Sequence, residues 1–220
     1  MKTFSKTLIT LVFLFGIFLI PSNAFADSFT LTEGFSYEDL SKDLKSEIDK
    51  IPGFKENDYV RTEDLRSVNI KYVGFDDREH DGNLIVHESI AKETLEIFNE
   101  LFEKKYPIRE MSCFCFRNIS GTNRLSWHAL GLAIDINYSL NPCLIIGKNG
   151  EVVNTIPAKC EKYADRTLNE KGLIKHGDDC YNAFASRGWE WGGSWDSPID
   201  YMHFQKFPWY TPKPAPKYKK

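Results

Sequence analysis

The clearest periodic stretch of the chain is HESIAKETLEIFNELFEKKY. Its apolar residues Ile90, Leu95, Ile97, Phe98, Leu101 and Phe102 fall on or near one stripe of a 3.6-residue helix. Pro107 stops that helix, because its ring removes a backbone donor and clashes with the preceding turn. A second helical spacing runs through SYEDLSKDLKSEIDKI, with a start near Ser36 or Tyr37. DDCYNAFASRG fits a short third helix closed by Gly188. Strand alternation shows in SVNIKYVGF, where Val68, Ile70 and Tyr72 share a face, and DDREHDGN follows it as a turn-rich connector. MSCFCF, GLAIDIN and YMHFQKF read as further strands, and CLIIGKNGEVV as a hairpin around Asn149-Gly150. One or two helices followed by a run of strands predict a single α+β domain rather than a doubly wound one.

The ends of the chain break this pattern. Residues 1–26 combine a basic start, MKTFSK, with the apolar run TLITLVFLFGIFLI and a small-x-small ending, Ala24-Phe25-Ala26. That is the composition of a cleaved signal peptide, and the 14-residue run is shorter than the about 20 residues a membrane span needs. Export is the expectation, with an uncleaved N-terminal anchor as the alternative. Cleavage would leave 194 of the 220 residues and remove Lys2 and Lys6, shifting the formal net charge of −3 two units further negative. Such a balance argues against a dedicated nucleic-acid binder. The closing residues 211–220, TPKPAPKYKK, read as a solvated extended tail, or as a weak attraction for an anionic wall polymer. Between the two ends, residues 27–65 are expected to form a helical N-terminal segment and 66–210 the core.

Chemistry gathers in the strand-like segments. In GLAIDIN, Leu132, Ile134 and Ile136 fall on one face and Ala133, Asp135 and Asn137 on the other. In YMHFQ, Met202 and Phe204 oppose Tyr201, His203 and Gln205. If the two polar faces line one cleft, His128, Asp135 and His203 converge there. Two imidazoles and a carboxylate are a three-ligand set for catalytic zinc, and hydrogen-bonded core residues are the competing reading. Such a metal lowers the pKa of bound water from 15.7 to about 7 and polarises a carbonyl. Asp200, just ahead of the His203 strand, is the candidate base for that water.

FRNISGTNRLSWHALGLAIDIN…NP and GWEWGGSW…DYMHFQ resemble the two signature blocks of the zinc D-alanyl-D-alanine carboxypeptidase family. That family groups VanY-like carboxypeptidases with D-Ala-D-Ala dipeptidases and phage L-alanyl-D-glutamate endopeptidases. Its pattern is S-x-H-x(6)-D, then an acid-x-x-H, and Ser126, His128, Asp135, Asp200 and His203 match it in order and spacing. DLRSVNIKYVGFDDREHDGNLIV also resembles the N-terminal half of one branch. The resemblance implies a Hedgehog/DD-peptidase-like fold, with N-terminal helices packed on a mostly antiparallel sheet. It implies one zinc ion held by His128, Asp135 and His203, with Asp200 as general base and Arg117 stabilising the oxyanion, ahead of Arg124. The implied partner is a peptidoglycan stem peptide and the implied location the bacterial envelope or exterior. Ser126 is expected to contact substrate, or else to satisfy local backbone as a turn hydroxyl. The chain departs from the family in its short SCFC link before Phe116-Arg117, in DINYSLNP where D-I-N-P is common, and in an aspartate where many relatives carry glutamate.

Other features have two readings each. Trp189 and Trp195 are expected in the core, and Trp191 as an aromatic wall beside the metal. Asp76, Asp77, His80, Asp81 and His87 form a rival metal-like cluster that also suits turns and a helix cap. His176 reads as a surface loop residue. Of the five cysteines, Cys160 and Cys180 are the expected disulfide pair. The sequons at Asn118 and Asn137 lie beside the site and are expected to be coincidental.

Overall fold

The computed structural model describes residues 28–207, so the signal-like segment and the Pro/Lys-rich tail lie outside the described residues. In chain order the elements are β1 (Phe29–Thr32), β2 (Phe35–Asp39), α1 (Lys42–Asp49), β3 (Leu65–Val73), β4 (Glu79–His87), α2 (Glu88–Glu103), β5 (Met111–Ser112), β6 (Ala133–Ile136), β7 (Cys143–Ile146), β8 (Val152–Ile156), α3 (Asp179–Ala185), β9 (Glu190–Trp191), β10 (Ile199–Asp200) and β11 (His203–Gln205). Three antiparallel sheets result, in the orders β1-β2-β3-β4, β5-β6-β11-β9 and β10-β7-β8. The chain is therefore α+β, as its pattern predicts. No helix among the described residues is long and apolar enough to cross a membrane.

The stripe of α2 becomes the spine of the core. Ile90, Leu95, Ile97, Phe98 and Leu101 are all buried, and the helix packs across β3 and also meets α3. Val68 and Ile70 on β3, Ile134 and Ile136 on β6, and Phe204 on β11 complete one continuous cluster with Phe184 of α3. Burying each such side chain stabilises the fold by roughly 1.5–3 kcal/mol. A smaller cluster of Leu40, Ile48, Phe54, Val60 and Leu65 sits under the 50–64 loop.

The segment 27–65 is less helical than expected. Residues 35–39 form β2, paired with β3 from Ser36↔Asn69 to Asp39↔Arg66, and α1 starts only at Lys42. Ser41 caps it by accepting a hydrogen bond from the Leu44 amide at 3.2 Å. The connector DDREHDGN is also mostly strand, because β4 begins at Glu79 and runs antiparallel to β3 along its whole length. Of MSCFCF only Met111–Ser112 pairs, with β6. Cys160 and Cys180 form no bridge, since Cys180 is fully buried on α3 while the Cys160 thiol turns to the Ala158 carbonyl.

Two asparagines and an arginine tie the long 157–178 excursion to the second sheet. Asn137, fully buried at a φ of 49°, accepts from the Arg109 amide at 2.7 Å and donates to the Pro107 carbonyl at 2.9 Å. Asn141 donates to the Gly172 carbonyl and accepts from the Ile174 amide. Arg166 donates to Asn141 and to the Ile174 carbonyl, with its guanidinium 4.2 Å above the Tyr201 ring. These contacts give a physical role to the departure DINYSLNP. They also leave Asn137 no exposure through which to carry a glycan.

Candidate active site

The His128 imidazole is set by its backbone. Ser126 caps a short 3-10 turn, Trp127–Leu130, by accepting from the His128 amide at 3.3 Å. Its hydroxyl is buried in that task, so of the two readings of Ser126 the structure shows the turn-satisfying one. Gly131 ends the turn at a φ of 67°, with its carbonyl accepting from the His87 amide at 2.9 Å. The His128 Nδ1 lies 2.7 Å from the Cys113 carbonyl, which can only accept, so Nδ1 carries the proton. Nε2 is left with its lone pair aimed inward.

Strand pairing brings in the other two. His203 on β11 stands directly opposite Asp135 on β6, so their side chains share one face of the sheet. His203 Nε2 donates to Gln205 Oε1 at 3.0 Å, which turns Nδ1 inward. Asp135 Oδ1 is 3.1 Å from both His128 Nε2 and His203 Nδ1, and those two nitrogens are 3.2 Å apart. Burial alone would raise Asp135, but the two imidazoles against its Oδ1 hold it well below the usual carboxylate range. Burial would lower His203, but the hydrogen bond and charge of Asp135 raise it above its ordinary value.

Three electron-rich atoms thus converge in a buried space, the two imidazoles each oriented by a partner behind it. A divalent cation fits that donor set: two neutral imidazoles and one carboxylate. The group is the metal-capable cluster found among the described residues. The rival cluster is spent elsewhere. Asp76 bonds His80 at 2.9 Å, Asp77 pairs with Lys171, and His87 caps α2 by accepting from the Ser89 amide.

Asp200 arrives from another sheet. It lies on β10 opposite Cys143 of β7, and the turn at Tyr201–Met202 carries the chain across to β11. The final strand is therefore shorter than the sequence pattern suggests. The Asp200 Oδ1 is buried with no hydrogen-bond partner among the described residues. Burial, partly offset by the nearby His203 charge and reinforced by Asp135, pushes Asp200 up to about 6. The neighbouring Cys143 thiol is pushed up to about 12 by burial and by the Asp200 charge. Gly192 permits this packing, since a Cβ there would come within 2.6 Å of the Asp200 carbonyl.

The aromatic assignment reverses. Trp191 is buried among His176, Tyr181, Tyr201 and Phe204, and its indole donates to the Tyr201 carbonyl at 2.9 Å. It is core, not wall. Trp195 is the partly exposed one, its ring 5.4 Å from that of His203. Trp189 is buried as expected. His176 is exposed but stacks edge-on against Tyr181 and Trp191.

Arg117 is not gathered into the cluster. Its backbone carbonyl accepts from the Ser126 amide at 3.0 Å, while its exposed guanidinium donates to the Asn118 carbonyl at 3.4 Å. It lines an open cavity of about 430 Å³ together with Pro52, Gly53, Glu56, Phe116 and Leu125. Arg124 is exposed on the adjoining loop.

Residues 120–206 match the family model described as D-alanyl-D-alanine carboxypeptidase. The resemblance read from the two sequence blocks is thereby shown. The carboxypeptidase match includes Ser126, His128, Asp135, Asp200 and His203, and begins after Arg117. The matched segment holds the metal-capable group His128, Asp135 and His203. No curated protein and no solved structure matches the chain. Cys113 lies outside the two sequence blocks, and Gln205, the last residue of DYMHFQ, lies outside the S-x-H-x(6)-D and acid-x-x-H pattern. Gln205 was visible on the polar face of YMHFQ, whereas Cys113 acts through its carbonyl and leaves no mark in residue type.

Proposed function

We propose that the protein is a secreted zinc metallopeptidase of Hedgehog/DD-peptidase-like fold that hydrolyses peptidoglycan stem peptides, with removal of a terminal D-alanine as its leading activity. The observation that supports this most is the convergence of His128 Nε2, Asp135 Oδ1 and His203 Nδ1 beside a buried, unpartnered Asp200 carboxylate oxygen. Zinc held by those three atoms would polarise the scissile carbonyl and acidify water. Asp200 takes the proton from the attacking water and returns it to the leaving amine; a carboxyl pushed to about 6 suits both directions of transfer near neutral pH. Arg117 approaches the carbonyl oxygen by leaving its single long bond to Asn118, which an exposed guanidinium does at small cost. In this reading the segment 1–26 directs export, and the family match over residues 120–206 supports the substrate class.

An endopeptidase cut within the stem peptide uses the same residues and differs only in how the cleft receives the chain. A non-catalytic, zinc-containing wall-binding module is the reading from another class. Elemental analysis of the purified protein tests the metal directly. One zinc per chain is expected, lost in His203→Ala and retained in Asp200→Ala; absence of zinc from the unaltered protein contradicts the proposal.

A further inference from the structure

Behind the metal ligands, the block GWEWGGSW contributes a residue that stands outside the S-x-H-x(6)-D and acid-x-x-H pattern. We infer that Glu190 is a positioning residue that selects the metal-binding tautomer of His203. Its two carboxylate oxygens are divided between two donors. Oε1 accepts from the Trp195 indole at 2.7 Å, and Oε2 accepts from the Gln205 amide nitrogen at 2.8 Å. Gln205 is buried, and its own Oε1 faces His203 Nε2 at 3.0 Å.

The direction of this chain of bonds is forced by chemistry. An ionised carboxylate only accepts, and an indole N–H only donates. The amide of Gln205 must therefore turn its NH2 group to Glu190, which leaves only its oxygen for His203. His203 Nε2 must then donate, so Nδ1, which faces Asp135 and His128, is the nitrogen a metal can take once any proton shared with Asp135 is released. Without Glu190, Gln205 can rotate by half a turn and present its NH2 group to Nε2. That arrangement places the His203 proton on Nδ1, where it blocks the ligand position. Register supports the bracket: Gln205 stands opposite Glu190 in the β11–β9 pair, and Trp195 lies beside the ring it helps to frame.

This inference rests on the reading of His203 as a metal ligand, and the test separates the two. Long-range 1H–15N spectra of the metal-free full-length protein at pH 8.5 report which ring nitrogen of His203 carries the proton. Zinc affinity is measured in parallel by competition with a chelating dye. The unaltered protein should show Nε2 protonated throughout. Glu190→Gln, which keeps the shape but not the acceptor-only character, should show a mixture and bind zinc about tenfold more weakly. Gln205→Leu should give the same mixture by removing the acceptor, and it decides the matter if Glu190→Gln does not fold. Nε2 protonated throughout in the folded variants, with zinc binding within twofold of the unaltered protein, overturns the inference. A fall in melting temperature with no change of tautomer also overturns it, because it marks a merely structural role. Failure of the unaltered protein to bind zinc contradicts the metal reading, while the tautomer spectra still decide the role of Glu190.

Discussion

A carboxyl that has to exchange a proton works best when few partners hold it in one state, and Asp200 meets that condition. Its folded-state value of about 6 stands above the ordinary 3.8. Between about pH 4 and pH 6 the folded protein therefore keeps a proton that the unfolded chain has lost, so this group's contribution to stability falls as pH rises through that window and is constant above it. In metal-free protein, Asp200→Asn should remove that decline and be more stable by about 1–2 kcal/mol above pH 6, read as the difference between urea melts of the two proteins. The same substitution should lower peptidase turnover by about 10²–10⁴-fold, with the acid limb of kcat/KM in the unaltered enzyme falling below pH 6, because a bound cation lowers the neighbouring carboxyl from its metal-free value. Ser126 makes the opposite case. Because its hydroxyl caps the turn that holds His128, Ser126→Ala should cost about 1 kcal/mol in thermal melts and leave KM little changed.

At the scale of elements, the ligands are only as well placed as the turns that deliver them. Gly131 sits in the left-handed region, and a Cβ there would lie 2.7 Å from the His87 backbone nitrogen. Gly131→Ala should therefore cost about 2–3 kcal/mol in chemical denaturation, through strain that no side-chain motion relieves. Such turns also mark the limit of what was legible in the sequence. Alternation in GLAIDIN revealed β6 and its polar face, and the stripe of α2 needed no context. The first half of β4 was hidden because its face is solvated, and a polar run such as EHDGN reads as loop until β3 is known to lie beside it. The helical spacing of SYEDLSKDLKSEIDKI places a start near Ser36 or Tyr37, but pairing of residues 36–39 with β3 outweighs that weak local preference. The tryptophans were misordered for a related reason. Residue type shows that an indole will be mostly buried, but the turn at Gly192 and Gly193 decides which ring meets His203.

Over the whole molecule, the three ligands come from a 3-10 turn and two strands separated by as many as 75 residues, so holding one ion ties distant parts of the fold together. A zinc ion held there would bind only the folded arrangement. At a hundredfold excess over its dissociation constant it should stabilise the protein by roughly 2.7 kcal/mol, seen as a rise in melting temperature that a chelator reverses and that His203→Ala abolishes. The proposed activity draws on the same assembly, with Asp200 supplied by one sheet and the metal ligands by another. Mass spectrometry of purified peptidoglycan after incubation with the zinc-loaded protein tests that account most directly, with Asp200→Ala as the companion sample. The account predicts loss of one alanine mass from the stem peptides, or release of a peptide fragment if the cut is internal, and no change with the variant. Identical profiles for both proteins, with zinc bound in each, would contradict it and leave a wall-binding module in its place.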